Sequence, residues 1–165
     1  MTFEFKGRTA FITGGASGAG FGQAKVFGRE GCKIAIADIR GDAVERAVAE
    51  LGSEGIEAHG VMLDITDRAA FIRAADEAEA ALGPVSLLFG TAGVSIFGPL
   101  EKATYDDYDW IFGVNFGGVV NLMQTFVPRM IERNLGGHIV NTASLGAFFA
   151  NSGSGIYSAS KFAVH

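Results

Sequence analysis

Residues 8–20 read Arg-Thr-Ala-Phe-Ile-Thr-Gly-Gly-Ala-Ser-Gly-Ala-Gly, and their order decides the architecture. Arg8 to Thr13 is a short apolar run that stops at Gly14-Gly15, the pattern of a strand entering a tight turn. From about Gly18 to Glu30 the apolar residues Phe21, Ala24, Val26 and Phe27 recur at helical spacing. A strand passed through a glycine turn into a helix is half of a βαβ unit, and the alternation continues along the chain. Lys33 to Asp38 reads as a second strand, and Asp42 to about Leu51, rich in alanine and glutamate, as a helix. Glu57 to Leu63 is a third strand, followed by the amphipathic, acid-led helix Asp67 to Leu82, which Gly83-Pro84 breaks. Val85 to Phe89 is a fourth strand ending in the turn Gly90 to Gly93. A long helix over Tyr105 to Arg133, a fifth strand at His138 to Ala143 and a helix from about Gly155 complete the series. Such alternation requires right-handed crossovers and hence a parallel sheet covered on both faces. The expected fold is α/β: a Rossmann-type, doubly wound parallel sheet in three α/β/α layers, built as one domain over residues 1–165.

Composition narrows the function classes. The 165 residues carry a net charge of −5, with 48% hydrophobic and 19% charged residues, which fits a folded globular chain. No basic run exceeds two residues, so a nucleic-acid partner is not expected. Met1 to Ala10 holds Lys6 and Arg8 but no apolar core, unlike a secretory signal, and no uninterrupted apolar stretch approaches bilayer length, so no membrane partner is expected either. Cys32 stands alone, without a disulfide or metal-ligand companion. His59, His138 and His165 are too scattered for a ligand set, so no metal is expected. A reducing, cytoplasmic location is the expectation.

The glycine turn carries the first chemical signal. Gly14, Ser17, Gly18, Ala19 and Gly20 lie where a strand meets a helix N-terminus, with little side chain to obstruct a ligand. Free amides and the positive end of the helix dipole suit a pyrophosphate there. Asp38 ends the second strand, where a carboxylate can accept from both hydroxyls of an adenosine ribose and repel a 2′-phosphate. That favours NAD over NADP, although Asp38 can also be read as a helix-leading or solvated charge, and Arg40 is available to a phosphate. Asp64 and Ile65, after the third strand, are candidates for the adenine side; a capping role before Asp67 is open for Asp64. Ala92 and Gly93 follow the fourth strand as further cofactor contacts.

Tyr157 and Lys161 are spaced i, i+4 and share one face of the final helix. A nearby ammonium favours the phenolate of a group whose ordinary pKa is about 10, which suits the tyrosine to acid–base work. Ser144, after the fifth strand, sits at the carboxyl edge where open α/β sheets bind ligands, though it can equally cap a turn.

Taken together, the Thr-Gly-(three residues)-Gly-x-Gly turn at 13–20, Ser144 and Tyr157-Ser-Ala-Ser-Lys161 resemble the short-chain dehydrogenase/reductase family over the whole chain. The resemblance implies a nicotinamide-dependent oxidoreductase acting on a secondary alcohol or ketone. It implies Tyr157 as proton donor or acceptor, Ser144 as the group orienting the substrate oxygen, and Lys161 as a ligand of the nicotinamide ribose that depresses the Tyr157 pKa. Asn115, within Val114-Asn115-Phe116, matches the family residue that holds a water in a proton relay. Gly90-Thr91-Ala92-Gly93 departs from the family's Asn-Asn-Ala-Gly. Members also continue well past the lysine, so the domain is expected to be incomplete at its C-terminus.

Val94, Ser95, Ile96 and Phe97, with Leu145, Phe148 and Phe149, are expected on the substrate side. That wall is apolar and aromatic, suited to a hydrophobic or aromatic alcohol, unless these side chains are core. The strings FITGGASG, ADIR and TAGV are similar to those of bacterial members that oxidise aryl secondary alcohols. On the long helix, Trp110, Ile111, Val114, Val119, Leu122, Met123, Phe126, Met130 and Ile131 cover more than one stripe. Either loops and later chain or a partner subunit covers the second side; Gly113, Gly117 and Gly118 favour a homo-oligomer, a dimer or tetramer. Two alternatives stand beside the dehydrogenase: a catalytically inactive dinucleotide-binding fragment or sensor, and a nucleotide-sugar epimerase or dehydratase. The latter usually has two residues between the first pair of glycines, whereas three separate Gly14 from Gly18.

Overall fold

A computed structural model describes residues 4–149 and 151–165. Five parallel strands, β1 (Thr9–Thr13), β2 (Lys33–Asp38), β3 (Ala58–Met62), β4 (Val85–Gly90) and β5 (His138–Asn141), lie in the order β3-β2-β1-β4-β5. Every residue of β1 and β4 is buried, as continuous apolar runs in the middle of a parallel sheet should be. The edges differ: β5 is largely exposed, with Ile139 and Val140 open to solvent.

Helices α1 (Gly18–Arg29) and α2 (Gly41–Ser53) cover one face, where Ile12, Ile34, Ile36, Ala24 and Leu51 form a buried cluster. Helix α3 (Arg68–Leu82) and the long helical stretch cover the other, around Phe11, Phe71, Leu122 and Phe126. The rings of Phe11 and Phe126 stand 4.7 Å apart at 48°, a tilted contact that binds the sheet to that layer. The doubly wound α/β reading of the sequence is therefore the observed one. Its strands extend outward from β1 in both directions, so the carboxyl ends of β1 and β4 flank the crevice where such sheets take ligands.

The long helix is not regular. Helix α4 (Tyr105–Phe112) passes into a π-helical turn (Gly113–Gly117) and then α5 (Gly118–Arg133). The widened turn carries Asn115 into the interior, where it is 1% exposed. By length and mean hydropathy alone, Tyr105–Arg133 is sufficient to cross a membrane, although polar residues such as Asn115, Asn121 and Gln124 interrupt its apolar run. Here Ile111, Leu122 and Phe126 are fully buried, as in a helix packed on a core. Trp110, Phe116, Val120 and Ile131 are exposed on the same stretch, so its second apolar side lies uncovered in the single chain. The last helix, α6 (Gly155–Val164), packs against α4, the π-helical turn and a 3-10 turn at Leu145–Ala147.

Candidate active site

At the end of β1 the chain folds back tightly. Gly14 has φ +65°, and a Cβ there would stand 2.9 Å from Ala92 Cα; one on Gly20 would stand 2.3 Å from the Gly14 carbonyl oxygen. Only glycine permits this closeness. Ser17 is the N-cap residue of α1, yet its side chain makes no capping bond, and no acidic residue occupies the first turn. The helix thus presents uncapped amides, an arrangement suited to an anion.

Beneath the turn, Thr13 Oγ1 accepts from the amides of Thr91 at 3.1 Å and Ala92 at 3.3 Å. Thr91 Oγ1 in turn donates to Gln23 Oε1 at 2.6 Å. The departure from asparagine at position 91 is therefore accommodated by a bond to α1. No local pattern in the sequence announces this partnership between residues 23 and 91.

A cavity of about 480 Å³ opens above these elements. It is lined by the predicted cofactor residues Gly14, Ser17, Gly20, Asp38, Asp64, Ile65, Ala92 and Gly93, and also by Ile39, Arg40, Leu63, Thr91, Trp110 and Val114. Gly18 and Ala19 are exposed at the start of α1 and are not among the lining residues. Val94, expected on the substrate side, lines this cavity instead. Trp110 and Val114 escaped the sequence reading as site residues because their pattern resembles that of any apolar helix face.

Asp38 is 7% exposed, and the Arg40 amide and Nε both donate to its Oδ1, at 3.2 and 3.3 Å. Arg40 Nη2 reaches across to Ser17 Oγ at 2.8 Å. One guanidinium thereby links the end of β2 to the glycine turn. Asp64 Oδ1 accepts from the Thr66 amide and hydroxyl, while Asp67 caps α3 through the Ala70 amide. Asp64 thus closes its own turn at the cavity wall, and Asp67 supplies the helix cap.

The second half of the site comes from α6. Lys161 is 5% exposed, and its Nζ donates to the Thr142 carbonyl at 3.0 Å. Burial pushes its pKa below 10.5. A Cβ on Gly93 would stand 3.2 Å from both Asn115 Oδ1 and Lys161 Nζ, so the lysine and the asparagine converge on the cavity edge. Tyr157, one turn earlier, is half-buried with its ring 5.8 Å from that of Phe97.

Strand β5 ends at Asn141, two residues short of the expected His138 to Ala143, so Ser144 lies three residues beyond the strand. Ser144 instead caps the 3-10 turn, its Oγ accepting from the Gly146 amide at 3.1 Å. The hydroxyl proton stays available to donate. A Cβ on Gly146 would stand 3.3 Å from Tyr157 Cε1 and 3.5 Å from Ser144 Oγ, so the two residues face the same point.

Phe97, Phe148, Phe149 and Leu145 are 69%, 58%, 60% and 73% exposed, which rules out the core alternative for them in this chain. Ser95 is exposed and Ile96 half-buried on the same loop. Among the described residues, no group of three or more His, Cys, Asp or Glu side chains is placed to hold a metal ion.

A family model described as short chain dehydrogenase matches residues 8–165. A C alpha-dehydrogenase of Sphingobium sp. strain SYK-6 is 62% identical over 161 residues, covering 97% of this chain and 53% of that protein. The apo crystal structure of LigD from the same strain superposes with a TM-score of 0.95 at 61% identity, covering 97% of this chain and 68% of that one. A short chain dehydrogenase/reductase from Burkholderia phymatum in complex with NAD gives a TM-score of 0.97 at 41% identity, covering 99% and 58%. The chain spans about half the length of the curated relatives it matches.

Proposed function

The chain belongs to the short chain dehydrogenase family, and from that membership we propose that it is a nicotinamide-dependent oxidoreductase interconverting a secondary alcohol and a ketone, with NAD as its cofactor. The observation that carries this reading is the convergence of Lys161 Nζ and Asn115 Oδ1 on Gly93, at the edge of a cavity built around a glycine turn, with Tyr157 one helical turn away. The cavity's size falls in the range of cofactor sites, and the close packing of Gly14 and Gly20 leaves the turn free of side chains, so the residues present fit a dinucleotide.

The amides at the start of α1 hold the pyrophosphate. Asp38 keeps Oδ2 for a ribose hydroxyl, since both Arg40 donors fall on Oδ1. A 2′-phosphate beside this buried carboxylate meets like charge, which favours NAD. When bound, the nicotinamide supplies the hydride acceptor. Tyr157 takes the proton from the substrate hydroxyl as a general base, or returns it in the reverse direction. Ser144, with a lone pair already committed to the Gly146 amide, donates its proton to the substrate oxygen. Lys161 brings positive charge to the Tyr157 side of the cavity and binds the nicotinamide ribose. Both hydrogens of the Asn115 carboxamide are committed within the protein, so a relay water would be held through an oxygen of this residue.

The exposed Phe97, Leu145, Phe148 and Phe149 favour a hydrophobic or aromatic alcohol over a sugar or acid. Self-association over Trp110, Phe116 and Val120 and a cytoplasmic location belong to the same reading. The test is nicotinamide absorbance with a panel of aliphatic and aryl secondary alcohols, NAD and NADP in parallel and Tyr157→Phe as control. Reduction of NAD that the variant abolishes supports the proposal. Dinucleotide binding without turnover would favour the binding-module alternative.

A further inference from the structure

Asn115 spends its carboxamide entirely inside the protein. Its Oδ1 accepts from the Val94 amide at 2.8 Å, while Nδ2 donates to the Val94 carbonyl at 2.9 Å and to Ser160 Oγ at 2.9 Å. Ser160 is fully buried, and its hydroxyl donates to the Tyr157 carbonyl at 2.7 Å. A hydroxyl has one proton to give, so the direction is fixed: Asn115 donates to Ser160, and Ser160 to Tyr157. This chain ties together the loop after β4, the π-helical turn and α6.

In a regular helix the Tyr157 carbonyl receives the amide of residue 161. Sharing that carbonyl with a serine hydroxyl loads the turn that separates Tyr157 from Lys161, and such bonds commonly bend helices. Ser160 is not among the residues lining the cavity, so it acts only through its neighbours.

We propose that Ser160 is a positioning residue, whose hydroxyl sets the depth and rotation of Tyr157 against the Val94 loop by anchoring the Tyr157 carbonyl to Asn115. The linkage stands on geometry alone; its catalytic consequence rests on the dehydrogenase reading.

Ser160→Ala removes the link with little change in volume, and Ser160→Cys keeps the size but weakens the bonds. Four quantities are measured on each: melting temperature, exchange of the Val94 amide, NADH binding followed by Trp110 fluorescence, and turnover of an aryl secondary alcohol across pH. In Ser160→Ala, Val94 exchange is expected to rise beyond what any loss of global stability explains, with NADH affinity nearly unchanged. The kcat is expected to fall about tenfold, a misplacement effect, with a displaced pH profile and a smaller change in KM. Ser160→Cys should lie between, and it carries the comparison if the alanine variant does not fold. Unaltered Val94 exchange, or an unaltered kcat and pH profile in a folded variant, would overturn the proposal. A wild type without turnover would sink the dehydrogenase reading instead, and Val94 exchange would still decide the linkage.

Discussion

Lys161 Nζ donates to the Thr142 main-chain carbonyl at 3.0 Å, so a buried ammonium rests on a neutral dipole. No carboxylate pairs with it among the described residues. That imbalance lets burial lower its pKa, and it leaves positive charge uncompensated beside Tyr157.

The lowered pKa has a measurable sign. Between the folded value and the unfolded 10.5, the unfolded chain binds more protons, so stability rises with pH across that window. Lys161→Met removes this dependence. Its melting temperature relative to wild type should therefore be most favourable near neutrality and decline as pH rises toward 10.5. A difference that stays constant with pH would show that burial does not disfavour the ammonium.

Glu79, 10% exposed at its side chain, gives a dependence of the same sign in the acid range. Burial alone would raise its pKa, but hydrogen bonds from Arg133 and Arg129 and from the Val85 amide bring it below 4.5. Its stabilising contribution is present above 4.5 and lost as pH falls through the lowered value. Glu79→Gln should lower stability at pH 7 by about 1–3 kcal/mol, the scale for disrupting a charged, partly buried hydrogen-bond set. In urea titrations the gap from wild type should narrow at acidic pH; an unchanged gap would deny the network its charge dependence.

Cys32 is 3% exposed, its Sγ donates to the Phe5 carbonyl at 3.3 Å, and burial pushes its pKa to about 11. Thiolate is the reactive form, so iodoacetamide at neutral pH should label Cys32 only after denaturation. Rapid labelling of the folded chain would contradict its placement under the N-terminal segment.

Much of this organisation was legible because it is local. The first four strands each stop at or within two residues of a glycine or aspartate, and Tyr157 with Lys161 occupies one helix face at fixed spacing. The π-helical turn at Gly113–Gly117 was not, since five residues cannot distinguish its period from that of the surrounding helix. Ser160 meets Asn115 across 45 positions and Thr91 meets Gln23 across 68, distances at which one sequence carries no pairing signal. The aromatic residues after Ser144 left core and surface equally open, because composition records apolarity and not what covers it.

Trp110 is the only tryptophan and lines the cavity, which makes it a reporter of occupancy independent of turnover. NADH binding should quench its fluorescence. Gly20→Ala should abolish that quench or weaken affinity at least about tenfold, because its Cβ would fall 2.3 Å from the Gly14 carbonyl and force the turn open. Retained affinity in the variant would place the pyrophosphate elsewhere.

Cofactor choice should turn on Asp38 and its guanidinium partner. Asp38 carries the charge that repels a 2′-phosphate, while Arg40, 54% exposed at its side chain and bonded to Ser17, can swing toward one. Asp38→Ala removes the repulsion and frees Arg40 from its carboxylate at once. NAD affinity should fall and NADP affinity rise, reversing their ratio by about a hundredfold, a shift of about 2.8 kcal/mol shared between a lost ribose contact and a gained phosphate contact. Asp38→Ala with Arg40→Ala should weaken NAD similarly without the gain in NADP. If both variants gave the same NADP affinity, Arg40 would be no phosphate ligand, and the preference would rest on the Asp38 carboxylate alone.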